Sequence, residues 1–135
     1  MTVLTANEIG PRFFLEQDRL RGGPADELCA PDYTITLAGN PPMNLEGHKQ
    51  FAAAFYGGFP DLYHTIDDVF GVDGRAAVHF TIRGTHTGNF MGIPATGRAV
   101  TVGAIALFTV VDGKIVAIRG EFDQLGMMRQ LGVVP

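Results

Sequence analysis

The chain has 135 residues, of which 46% are hydrophobic and 18% charged, with a formal net charge of -4. That balance describes a single globular domain, 1–135, large enough to bury its own core. The ten Lys and Arg are scattered along an acidic chain, which argues against a nucleic-acid surface.

Residues 8–21 predict a first helix, with Asn7 as its N-cap and Phe13, Phe14 and Ile9 on its apolar stripe. Gly22-Gly23 stops it, and Pro24 opens a short helical stretch. Cys29 follows in an apolar patch with no neighbouring histidine, which reads as buried filler. As the only cysteine it excludes an intrachain disulfide, and a reducing cytoplasm is the expected compartment. No basic-then-apolar leader opens the chain, and no apolar run approaches the ~20 residues of a membrane span.

A strand is expected over 33–37, then a turn at Pro41-Pro42 and a second helix over 46–56. His48, Phe51 and Phe55 share one face of that helix, and Ala52–Ala54 let it approach a sheet. Strands over 65–72 and 75–87 meet at Asp73-Gly74, a dipeptide suited to tight hairpins. A Gly-rich loop spans 88–97. Strands over 98–111 and 114–122 form a second hairpin at Asp112-Gly113, and Leu125, Met128 and Leu131 mark a terminal helix stopped by Gly132. Helices first and a meander of antiparallel strands last predict an α+β fold. It is a cone-shaped barrel of a curved, mostly antiparallel sheet with helices in its concave face. A second copy of the chain is expected to cover the convex face.

The last strand ends in Arg119, Glu121 and Asp123, which share a face if no bulge intervenes. Two readings stay open for that face: a solvated surface, or the mouth of a cavity in which a carboxylate moves protons. Of the histidines, His48 points inward on its helix and His79 sits mid-strand, so these two are candidates to assist; His64 ranks lower. No pair has metal-ligand spacing, and no metal or cofactor is expected. With no serine in the chain, a Ser/His/Asp triad is excluded. Asp123 is then the leading candidate for proton transfer, with Phe13, Phe55 and Met91 as candidate apolar contacts of a small-molecule substrate.

The run Arg83-Gly84-Thr85-His86-Thr87-Gly88, then Gly92-Ile93-Pro94, Thr96-Gly97-Arg98, Asp112-Gly113-Lys114-Ile115, Asp123-Gln124-Leu125-Gly126 and Gln130-Leu131-Gly132, resembles the SnoaL-like polyketide cyclases. Phe59-Pro60-Asp61-Leu62 also fits, and the resemblance covers about residues 6–132. It implies the nuclear transport factor 2-like cone, a dimer, and cofactor-independent intramolecular aldol closure with Asp123 as general acid/base. Two departures stand out. Thr36 occupies the place of a histidine common in relatives. Arg119 and Glu121 stand where relatives carry large apolar residues, which implies a smaller or more polar substrate. The alternatives within the superfamily are a binding protein without turnover, a ring isomerase and an epoxide hydrolase. The last lacks its second aspartate on the 75–87 strand, and the isomerase lacks a tyrosine where Phe13 and Phe14 stand.

Overall fold

The computed structural model describes residues 3–135. Helix α1 (Ala6–Leu20) starts one residue before the predicted cap, Asn7. Thr5, not Asn7, is the N-cap: Glu8 N donates to Thr5 Oγ1 and Thr5 N donates to Glu8 Oε1, a reciprocal capping box. The helix ends on Arg21 in the left-handed region (φ 56°) rather than on a glycine. Its buried face carries Ile9, Gly10, Phe13, Phe14 and Gln17. Gly10 matters there: a Cβ at that position would lie 2.9 Å from Val78 Cγ2, so a larger residue would lift α1 off the sheet.

A single 3-10 turn, Asp26–Leu28, leads into β1 (Cys29–Leu37), which begins four residues before the predicted strand. Then come β2 (Met43–Asn44), α2 (Leu45–Gly58), β3 (Tyr63–Val72), β4 (Arg75–Thr85), β5 (Ala99–Val111), β6 (Lys114–Phe122) and α3 (Gln124–Leu131). The sheet order is β2-β1-β6-β5-β4-β3. Every pairing is antiparallel except β1 with β6, which is parallel. Both Asp-Gly hairpins form. Asp112 (φ 51°) and Gly113 (φ 74°) are both left-handed, as a two-residue turn matched to strand twist requires.

Alternation along β5 sorts the two faces. Val100, Val102, Ala104, Ala106, Phe108 and Val110 are buried against the helices, while Ile105 and Leu107 lie on the outer face, 51% and 42% exposed. A register shift at Thr109/Val110 changes the parity of β6. Ile115 therefore turns inward with Ile118, Gly120 and Phe122, while Arg119 and Glu121 turn outward. The curved sheet wraps its concave face around the helices. One core cluster lies under α1 and a second under α3. Cys29 is buried in the first, and desolvation with the nearby Asp26 charge pushes its thiol up to about 12. Such a thiol has almost no thiolate at neutral pH and is not a nucleophile.

Candidate active site

Between α1, α2 and the inner sheet face lies a cavity with about 100 Å³ of space for the centres of water-sized spheres. That is room for several waters or one small organic molecule. Its walls are mostly apolar: Phe13 and Phe14 from α1, Phe51 and Phe55 from α2, Phe80 and Ile118 from the sheet. Four polar side chains interrupt them: Gln17, His48, Tyr56 and His64.

The most ordered polar group is built on Asp18, near the end of α1. Its Oδ1 accepts from Tyr56 Oη at 2.6 Å and pairs with His64 Nδ1 at 2.7 Å. Its Oδ2 accepts from the backbone N of His64 at 2.7 Å. Burial pushes the Asp18 carboxyl up, but the contacts with His64 and Tyr56 together outweigh it and hold the group below the usual carboxylate value. An ionised Asp18 can only accept, so Nδ1 of His64 carries a proton that points at it, and in the neutral tautomer this selects, the lone pair belongs to Nε2. Desolvation, then the bond to Asp18, raises the Tyr56 phenol, which stays protonated and donating. Phe14 and Phe80 flank the His64 ring at 5.1 and 5.7 Å between centroids. The Arg21 guanidinium lies 4.7 Å over the Tyr56 ring and donates to the carbonyls of Leu62, at 2.6 Å, and Pro60. It thereby ties the start of β3 to the end of α1.

The second polar group is His48 on α2. Its Nδ1 lies 2.8 Å from Tyr33 Oη, and its ring stacks on Phe13 at 5.9 Å and on Tyr33 at 6.0 Å. Tyr33 is buried and makes no other side-chain hydrogen bond among the described residues, so its hydroxyl proton is satisfied only by donating to Nδ1. That fixes the proton of His48 on Nε2, as a donor. Burial pushes the His48 pKa down to about 4, so the ring is neutral at physiological pH.

This neutral burial has a measurable cost in acid. Between the ordinary value of 6.5 and about 4, the unfolded chain takes up a proton that the folded chain refuses. Stability therefore falls as pH drops through that window, by roughly 3 kcal/mol in full. Asp18, held low in the folded state, loses its contribution in the same direction at the acid end. The melting temperature is expected to drop steadily from about pH 7 to about pH 4.5, and His48→Phe should flatten part of that slope. A level profile in the unmodified protein contradicts the neutral, buried imidazole.

The residues expected from the sequence divide sharply. His48, Phe13 and Phe55 line the cavity. Glu121 borders it, but alternation on β6 turns its exposed side chain to the outer face. Arg119 shares that outer face and pairs across the ladder with Thr36 and Leu107. His79 is exposed on the same face, opposite Ile105. None of Arg119, Thr36 and His79 lines the cavity, because the strand parity that buries Val78, Phe80 and Ile118 points them the other way. Met91 is 60% exposed at a left-handed turn position (φ 47°), far from a lining role. His64, which the sequence ranked low, stands in the polar wall instead, and Asp18, which it passed over, backs His64 without lining the cavity itself.

Asp123 also takes a different place. It is exposed and does not line the cavity. β6 ends at Phe122, and Asp123 becomes the N-cap of α3, with Oδ1 accepting from Gly126 N at 2.8 Å. Asn caps as well as Asp, whereas Ala leaves the first turn without its acceptor. Asp123→Asn should keep both stability and turnover, and Asp123→Ala should lose about 1 kcal/mol of stability in urea unfolding. A hundredfold loss of turnover in Asp123→Asn with stability intact would return this carboxylate to the chemistry.

The model of the SnoaL-like polyketide cyclase family matches residues 13–131. Aklanonic acid methyl ester cyclase DnrD of Streptomyces peucetius is 37% identical over 92 residues, covering 65% of this chain and 63% of that protein. DauD of Streptomyces sp. (strain C5), also an aklanonic acid methyl ester cyclase, is 51% identical over 49 residues, 36% of this chain and 30% of its own. Both matches span less than two thirds of the relative's length. Among solved structures, IdmH of Streptomyces antibioticus superposes with a TM-score of 0.71 at 34% identity, covering 80% of this chain and 84% of that one. A SnoaL-like polyketide cyclase of Agrobacterium tumefaciens superposes at 0.72 with 23% identity, covering 96% and 99%, a likeness of fold. The curved sheet with its enclosed helices is the nuclear transport factor 2-like fold of these neighbours, and the chain belongs to the SnoaL-like polyketide cyclase family.

Proposed function

We propose that the chain is an acid/base enzyme that closes a ring by intramolecular aldol addition in a small polyketide-like carbonyl compound. His64 is the base and His48 the oxyanion donor. His64 Nε2 takes a proton from the carbon beside one carbonyl. The electron pair left behind forms a carbon–carbon bond to the second carbonyl carbon, whose π pair moves onto its oxygen. His48 Nε2–H donates a hydrogen bond to that oxygen, and the His64 imidazolium returns its proton there. The product is a β-hydroxy ketone, an isomer of the substrate, and every group used is a side chain of this chain. Asp18 holds the tautomer of His64 and stabilises its charged form, while the apolar walls hold a flexible substrate folded.

The observation that carries this reading is the 2.7 Å contact of Asp18 with His64 Nδ1 in the wall of an apolar cavity. It is tested by α-hydrogen exchange. In deuterated water, methyl propyl ketone should gain deuterium beside its carbonyl faster with the protein than with His64→Gln. Equal rates for the two proteins exclude His64 as the base.

The expected homodimer belongs to the same proposal. Ile105 and Leu107 stand exposed at the centre of the outer sheet face, where an apolar pair is poorly placed for water. Arg119 and Glu121 frame them with opposite charges on one strand. A second copy, turned about a two-fold axis, buries the pair and sets each Arg119 against a partner's acid. Leu107→Glu should elute as a 14.5 kDa monomer in light scattering while the unmodified chain elutes at twice that mass. Equal masses for the two proteins exclude this face as the contact.

A further inference from the structure

A second, smaller void lies beyond the main cavity, with about 10 Å³ for the centres of water-sized spheres. Phe55, Leu62, Ile82 and Phe122 line both spaces and form the partition between them. Behind it stand Val100 and Val102 from β5 and Met127 from α3. None of its lining residues carries a polar side chain. The size admits one water-sized group, but nothing there can bind a water, so the void stays dry. Three of the four partition side chains, Phe55, Ile82 and Phe122, are only partly buried, because they face the open cavity. The far wall is closed to solvent: Phe59 and Val102 are 1% and 2% exposed. Gly84 on β4 also lines the void, and its missing side chain leaves room there; a Cβ on it would stand 3.2 Å from Phe59 Cβ.

We propose that this void is the subsite for a short, unbranched alkyl end of the carbonyl substrate. The inference rests on the reading of the main cavity as a carbonyl site and adds the substrate class. The reacting carbonyls lie among His48 and His64, and a saturated chain passes between the partition side chains to place its terminal methyl against Val102 and Met127. A polar end group finds no partner there and is rejected. A branched end is too wide for a space of one water-sized group. Each methylene moved from water into this dry space tightens binding about fourfold, until the chain reaches the far wall.

The experiment is a binding series with acetone, methyl ethyl ketone, methyl propyl ketone and methyl butyl ketone. It is read by NMR on protein with carbon-labelled methionine methyls and labelled histidine rings. The expected result is a Kd that falls about fourfold per carbon and then levels, with the Met127 methyl moving only for the longer ketones. Val102→Leu adds one carbon, about what the void holds, and should flatten the series. If the ketones shift the His48 and His64 rings but the Met127 methyl stays still throughout the series, the tail remains in the main cavity. That result overturns the subsite and leaves the carbonyl site standing. If no ketone moves either ring, both readings fall together. The methyl readout is taken on the unmodified protein, so the test holds even if Val102→Leu packs poorly.

Discussion

Asp18→Asn should slow α-deuteration of a ketone by about two to four orders of magnitude, the range a positioned base contributes, with the fold intact by circular dichroism. The reason lies in the number of acceptors. The carboxylate takes three hydrogen bonds: the Tyr56 hydroxyl, the His64 ring and the His64 backbone. An amide has only one oxygen. If that oxygen serves the His64 ring and Tyr56, the amide NH₂ faces the backbone N–H of His64. If the amide flips, its NH₂ faces Nδ1, and the ring must move its proton to Nε2 and lose the lone pair that does the work. In either arrangement the negative charge that steadies the imidazolium is gone. Tyr56→Phe removes one bond and keeps the charge, so its loss should be much smaller. An Asp18→Asn protein that exchanges as fast as the unmodified one refutes the dyad.

Phe108→Ala should cost about 3–5 kcal/mol in urea unfolding. Phe108 is fully buried on β5, with Phe13 at 5.5 Å and Phe14 at 5.8 Å between ring centroids. It also packs against the α1 backbone at Gly10, where a Cβ would lie 3.6 Å from its ring. Those neighbours belong to a helix and a strand that cannot collapse into the gap, so the lost ring leaves a void as well as a lost transfer term. Phe70, 66% exposed at the sheet edge, offers the contrast: Phe70→Ala should change stability by no more than about 0.5 kcal/mol. Similar losses for the two variants would mean that the centre of the core lies elsewhere.

What the sequence revealed follows from how local each signal is. Both Asp-Gly hairpins and the bounds of β6 were legible, because turn chemistry acts over two residues and strand ends are marked by it. The face of α2 shared by His48, Phe51 and Phe55 was legible too, since helical spacing alone sets it, and all three line the cavity. The cap of α1 was misread by two residues. Thr5 and Asn7 both suit the position, and Glu8 three residues after Thr5 was the deciding signal. Parity on β6 held from Ile118 to Phe122, where Arg119 and Glu121 share the outward face, and only Ile115 is reversed, by a register shift. Asp123 was counted as strand when it already satisfied the cap preference of the following helix. The Asp18–His64 pair was barely legible. Its members are 46 residues apart, and only the docking of α1 on β3 brings them together. A weak local hint existed: Asp18 stands four residues after Phe14, on the helix edge next to the core.

The lone parallel pairing, β1 against β6, has a consequence for how the chain is made. Its registers join residues such as Thr34 with Ala117 and Leu37 with Gly120. During synthesis β1 leaves the ribosome with β2, α1 and α2 close by in sequence, but long before β6 exists. Its other edge must wait, open to foreign strands, until β6 has been translated. Contacts so distant along the chain slow the search for the native state and lengthen the time in which sticky strands meet other nascent chains. The β4–β5–β6 meander, built from neighbours in sequence, is the natural seed, and the amino-terminal strand the last piece to zip on.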